Sequence, residues 1–287
     1  MLSKVRFSGL VRQTFNKSTR NFANKIIIPS GKTITFPLNL NGVPPASAEK
    51  NQFYQSALEQ ILDTDIQEGF KLAYKSTLDA LINNDLEFFQ DICEPRLYEE
   101  IQNGLDALKE AGLSADGDHL DTDDVSVMIS SLSMIYGVSH DRSKNQDKDQ
   151  YFARDMNFNG IEMKFYQPRF PDPNMLRKLY PFLQISCTFY SSPINFVIKD
   201  KEGNPIAGLQ SNKYHKFVFE SVNESGSDGI GHIQNIAKSM TGLFGAIGMF
   251  GNHNAMKTFI QNLFNTKELT WKIADIDDHL NGNPFTS

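Results

Sequence analysis

Six histidines, two cysteines and a few carboxylates are the places where this 287-residue chain could do chemistry. His119, His140, His215, His232, His253 and His279 are scattered, with no short spacing that would put two imidazoles on one metal ion. His215 falls in an aromatic run with Phe217 and Phe219, where a hydrogen-bonded structural imidazole is expected rather than a base. Asp155 and Asp200 are the carboxylates to nominate within strands and their turns, but Asp200 belongs to a turn and Asp155 has no evident partner. Cys93 and Cys187 show neither CxxC nor metal-ligand spacing, which speaks against a disulfide scaffold. Cys93 precedes Glu94-Pro95 at a helix start, a location that can lower a thiol's pKa. The stretch from Ser114 to Asp124 is acidic and superficially suggests calcium. An EF-hand needs Gly sixth and Glu twelfth, whereas counting from Asp116 gives Asp121 and Val127, so a solvated loop is expected. GxSxG, P-loop, GxGxxG and HExxH patterns are all missing, and the chain reads as non-enzymatic.

The elements that must position these residues centre on Phe182 to Val222. Ile185, Cys187 and Phe189 alternate with polar neighbours, Phe196 and Ile198 keep the two-residue period, and Phe217 and Phe219 resume it. Joined by Lys201-Glu202-Gly203-Asn204-Pro205, the two runs predict one long β-hairpin with a greasy face. Leu269 to Ala274, carrying Trp271, predicts a further strand of the same sheet. Phe189, Phe196, Phe217, Phe219 and Trp271 are thus expected to line an apolar pocket or to form a core. Upstream, Phe70, Ala73, Tyr74, Leu78, Leu81 and Ile82 recur at helical spacing. Asn83-Asn84 ends that helix, Asp85 caps the next, and Pro95 opens a third whose face is Leu97, Ile101, Leu105 and Leu108. Residues 125–138 predict a long or bent strand, and Met156 to Phe165 a hairpin around Asn159-Gly160. One helical turn is expected over Asn174 to Leu179. Helices first and strands after indicate α+β: N-terminal helices packed on a curved antiparallel sheet of about six strands.

The order of these pieces resembles the Tim-forty-four-like domain family, which comprises the inner-membrane anchor of the mitochondrial import motor and a mitoribosomal large-subunit relative. The residues that carry the resemblance are Asp200 and Gly203 in the turn, Gly208, Phe217-Val218-Phe219, and Trp271-Lys272-Ile273. The lead-in from Ala80 to Ile101, with Cys93, Pro95 and Leu97-Tyr98, matches the family's helical approach. The resemblance spans roughly residues 67–112 and 180–276. It implies a cone-like sheet with helices closing one mouth, akin to the nuclear-transport-factor-two-like superfamily, and a Cys93 that is packed rather than reactive. That wider superfamily also includes enzymes with an Asp base in an apolar pocket, so a pocket enzyme or a lipid binder stays open.

Composition supplies the address. Lys4, Arg6, Arg12, Lys17 and Arg20 stand before the first acidic residue, Glu49, in a Ser-containing start that predicts a mitochondrial transit peptide over 1–22. Taking away those five charges turns the net of −6 into −11, which speaks against DNA or RNA as partner and against broad attachment to anionic lipid. Residues 23–50 predict an extended Pro/Gly arm, wrapping either a partner or its own domain; 51–278 form the domain and 279–287 a tail. Within the domain, 223–268 is an insertion before the last strand. Ile236, Met240, Leu243, Phe244, Ile247 and Phe250, then Phe259 and Leu263, keep helical spacing, interrupted by Gly242, Gly245, Gly248 and Gly251. Too short and broken to span a bilayer, the insertion is expected to dock on a membrane, a membrane-protein partner or its own sheet. No cofactor is implied, although a lipid such as cardiolipin could be bound. The expectation is a peripheral, matrix-side accessory subunit of a large inner-membrane complex, of the respiratory chain or ATP synthase. An import-motor adaptor and a mitoribosomal membrane anchor are the alternatives that the resemblance implies.

Overall fold

A computed structural model of the chain describes residues 25–27, 33–35, 47–62, 66–138, 150–158, 161–169, 179–222 and 269–280. The expected transit peptide, the insertion with Ile236 to Leu263, the Asn159-Gly160 turn and the helical turn before Leu179 lie outside these residues. The chain begins with a short hairpin, β1 (Lys25–Ile27) and β2 (Thr33–Thr35), paired antiparallel. Four helices follow: α1 (Ala48–Leu62), α2 (Gln67–Asn83), α3 (Leu86–Ile92) and α4 (Pro95–Glu110). The β2 strand lies against α4, and α1 starts at Ala48, before the expected end of the arm.

Local chemistry accounts for the helix ends. Asn84 takes the left-handed conformation at φ 54° and stops α2. The Asp85 carboxylate accepts the Phe88 N–H at 3.0 Å, satisfying one orphan donor of α3. Pro95 sits in the first turn of α4, where a missing N–H costs nothing. Leu97, Ile101, Leu105 and Leu108 are all buried, as their spacing predicts.

Strands β3 (Ser114–Gly117), β4 (Ser126–Gly137), β5 (Tyr151–Phe158), β6 (Ile161–Pro168), β7 (Tyr180–Tyr190), β8 (Asn195–Lys199), β9 (Pro205–Gln210), β10 (Tyr214–Val222) and β11 (Thr270–Ile276) complete the fold. A six-stranded sheet has the order β11-β10-β7-β4-β6-β5, and a three-stranded sheet the order β3-β8-β9. The architecture is α+β, but the large sheet is mixed rather than antiparallel, because β4 and β6 run parallel. The reason is the β5–β6 hairpin: Phe158 lies opposite Ile161, and the second arm slots between the first and β4, which forces the same direction on β4 and β6.

The long hairpin also needs correction. Its near half, β7 with β10, belongs to the large sheet, with Cys187 opposite Phe217 and Ile185 opposite Phe219. Its far half, β8 with β9, turns away and joins β3. The break falls at two serines: the Ser191 N–H donates to the Lys213 carbonyl at 3.1 Å, and the Ser211 hydroxyl accepts the Ile194 N–H at 2.9 Å. At Ser211 a side-chain oxygen takes the place of a ladder acceptor, so the buried Ile194 amide stays paired where the ribbon bends. The acidic stretch is likewise not all loop, since Ser114 to Gly117 pair with β8 and Thr122–Asp124 form one 3-10 turn. Asn51 closes a free edge: its side-chain oxygen accepts the Ile129 N–H at 2.7 Å, beside the bulge between Ile129 and Ser131.

Candidate functional site

The core face of β7, β10 and β11 carries four of the five aromatic residues singled out above, and α2 fills the space in front of it. Phe70 stacks on Phe219 with ring centroids 4.2 Å apart and meets Trp271 edge-on at 5.8 Å. One turn later Tyr74 stacks on Phe189 at 4.6 Å, with planes 2° apart, and meets Phe217 edge-on at 5.3 Å. Helical spacing of four residues matches the rise between ring positions on neighbouring strands, so two rings of one helix address four of the sheet. Phe189, Phe217 and Phe219 are buried and Trp271 is half-buried. Phe196, also buried, belongs instead to the small sheet, against the backbone of Gly117 where Ile82 also comes close. The five residues therefore form two parts of one packed core, with helix side chains occupying the face.

The far end of this core is polar. His215 on β10 is buried, and its Nδ1 lies 2.7 Å from Oδ2 of Asp277, just beyond β11. Its Nε2 lies 3.1 Å from the Asn212 carbonyl, which can only accept, so Nε2 carries a hydrogen. The other Asp277 oxygen accepts the Lys216 N–H at 2.7 Å, while the Asp277 N–H donates to the Lys216 carbonyl at 2.7 Å. Burial raises the Asp277 carboxyl above its ordinary range; the His215 hydrogen bond and charge and the Lys216 N–H oppose that rise. Tyr74 joins the cluster, its ring 6.0 Å from the imidazole and its hydroxyl 3.3 Å from the Ser191 hydroxyl. Asp277 and Asp278 are both left-handed, at φ 50° and 55°. Non-glycine residues in that region cost on the order of 1–3 kcal/mol each, so the surrounding contacts over-determine this turn.

This geometry gives His215 the structural role expected of it. Both ring nitrogens are committed to the protein, which leaves no lone pair facing a substrate. The nominated carboxylates fare differently. Asp200 organises its own turn, accepting the Glu202 N–H at 3.0 Å and the Asn204 N–H at 2.8 Å; the Asn204 hydrogen bonds hold its carboxyl below the usual range. Asp155 is exposed on β5, the outer strand of the large sheet. Among the described residues the buried acids are others: Glu94, Glu220, Asp275 and Asp277. The alternation predicts a last strand that ends at Ala274, whereas β11 runs to Ile276, so Asp277 lies beyond the segment that the spacing marks out. The continued alternation Ile273, Asp275, Asp277 is the signal that points to a polar strand end.

Cys93 is packed, not activated. Burial pushes its thiol well above the ordinary range, with nearby Lys272 acting weakly against the rise, and burial does the same to Cys187. The Cys93 backbone forms a parallel bridge to Ile273, the Glu94 N–H donates to the Ile273 carbonyl at 2.8 Å, and Lys272 donates to the Asp91 carbonyl. The α3–α4 elbow thus closes the open edge of β11. Among the described residues no cluster of three or more His, Cys, Asp or Glu is placed to hold a metal ion.

No family model and no curated protein matches the chain. Among solved structures, the intermembrane space region of the chloroplast protein ARC6 is similar over 64% of this chain and 92% of that one. The identity is 11% and the TM-score 0.26, a likeness too slight to carry an argument.

Proposed function

We propose that this chain is a non-enzymatic accessory subunit, peripheral to the matrix side of the mitochondrial inner membrane, built around a cone-like Tim-forty-four-like domain. The observation that favours binding over catalysis is the filled aromatic face. Phe70 and Tyr74 of α2 stack on the rings of the sheet and fill the face that would otherwise line a pocket, and both nitrogens of the adjacent imidazole are hydrogen-bonded. A lipid-filled pocket is disfavoured on the same ground. No helix among the described residues is long and apolar enough to cross a membrane.

The mitochondrial address rests on the basic, acid-free start, and the choice of complex rests on the acidic body and the apolar insertion before β11. An import-motor adaptor and a ribosomal anchor remain outcomes of the test. The tagged full-length protein is extracted from mitochondria in mild detergent, resolved on native gels and analysed by mass spectrometry. Co-migration with a respiratory or ATP-synthase complex is expected. Recovery with translocase, matrix chaperone or ribosome would replace the accessory-subunit reading, and a free soluble monomer would sink it.

A further inference from the structure

The buried couple at the end of β10 has a property that follows from its hydrogen bonds alone. With Nε2 fixed as a donor by the Asn212 carbonyl, the 2.7 Å contact between Nδ1 and Asp277 needs one more proton. Whether that proton sits on nitrogen or oxygen, the couple is neutral overall, either imidazolium with carboxylate or imidazole with carboxylic acid. Removing it would leave a buried carboxylate facing the Nδ1 lone pair.

We infer that the His215–Asp277 couple is a proton-dependent latch: it clamps the turn at 277–280 onto β10 and releases it when the shared proton is lost. Other contacts hold the turn as well, among them Leu280, which packs against the core. Asp277 exchanges backbone hydrogen bonds with Lys216, the His279 N–H donates to the Ile276 carbonyl at 2.9 Å, and the Leu280 N–H donates to Asp275 Oδ1 at 3.0 Å. Consecutive left-handed Asp277 and Asp278 favour opening once the clamp is gone. Among the described residues, the following groups lie around the couple. From α2 comes Tyr74; from β10, Lys216, whose Nζ is drawn off to Asp278 at 2.7 Å; from the end of β11, Asp275; and from the turn, Asp278 and His279. From β7, Phe189 lies opposite His215 and contributes no charge.

The sign follows from linkage. In an opened turn an ordinary imidazole loses its proton near pH ~6.5 and an ordinary aspartate near ~3.9. The closed geometry is built on one shared proton and the opened form holds none above the first value, so opening is favoured as pH rises beyond it. Below the second value the opened form binds an extra proton, so the latch also weakens in strong acid.

Amide hydrogen exchange on the full chain from pH 6 to 9.5 tests this, with protection corrected for the intrinsic pH dependence of exchange. In the wild type, protection at Lys216, Asp277, His279 and Leu280 is expected to fall about tenfold per pH unit on the alkaline side, one proton per opening. The Ile185 amide on β7 should not follow. Asp277→Asn preserves the geometry without the proton: its amide oxygen accepts the Lys216 N–H and its NH2 donates to Nδ1. Protection in that variant should be flat. Flat protection in the wild type, or the same slope in both proteins, would overturn the latch. If Asp277→Asn does not fold, the wild type alone decides. The His215 ring-nitrogen resonances must move over the interval in which protection is lost, and resonances that stay constant there exclude the mechanism.

Discussion

Two ends of the same sheet tie α2 and β11 to β10 by opposite means. At one end Phe70, Phe219 and Trp271 interlock through ring area; at the other His215, Asp277 and Tyr74 are joined through directed hydrogen bonds. The aromatic end gains from burial in proportion to area and is indifferent to pH. The polar end has little net gain from burial, because desolvation offsets much of each charged hydrogen bond, but it is specific about geometry and protonation. Tyr74 belongs to both, stacked on Phe189 through its ring and bonded to Ser191 through its hydroxyl. The lesson is that one end of this core supplies stability, and the other fixes where the last strand stops.

The contrast can be broken most forcefully at the rings. Phe189→Ala should cost about 3–5 kcal/mol, as aromatic-to-alanine changes in closed cores do. Denaturant titration at pH 6 and pH 9 should return the same loss at both; a loss that varied with pH would tie the ring stack to the polar end. Asp277→Ala should cost roughly 3 kcal/mol near neutrality, because it strips a buried histidine of its counter-group. That loss should shrink as pH rises, since the wild type itself weakens there, and a constant value would erase the distinction between the two ends.

A third test uses the thiols. Burial raises both Cys93 and Cys187, so the folded chain keeps them protonated where unfolded thiols ionise, above pH ~8.5. Their contribution is intact below that value and is lost as pH rises past it. Alkylation by iodoacetamide at pH 9 should therefore track global unfolding, and fast labelling of the native protein would contradict the packing of either cysteine. Smaller again, Asp85→Ala should remove about 1 kcal/mol by uncapping α3, visible as a shifted urea midpoint with unchanged slope. Least of all, Tyr136→Phe should be neutral or slightly stabilising. The Tyr136 hydroxyl is buried with no hydrogen-bond partner among the described residues, so deleting it removes a desolvation cost. A loss above 1 kcal/mol would mean that the hydroxyl is satisfied in solution.

Sequence by itself determined the local features. The four-residue rhythm of Phe70, Tyr74 and Leu78, the cap at Asp85, the stop at Asn84 and the turn at Asp200 to Asn204 each depend on neighbours within a turn of the chain. So does the alternation that marks β7, β10 and β11 as one aromatic face. Tertiary structure decided what lies beyond that reach. Whether β4 meets β6 parallel or antiparallel depends on which arm of a hairpin slots inward, and both arms alternate alike. The same period of two runs through β8 and β9, so alternation could not reveal that Ser191 and Ser211 send them to another sheet with Ser114 to Gly117. His215 and Asp277 are separated by 62 positions, and nothing in either segment names the other. Their meeting required β11 to run two residues past the last predicted apolar position and turn back left-handed, an outcome set by packing against β10 rather than by local preference.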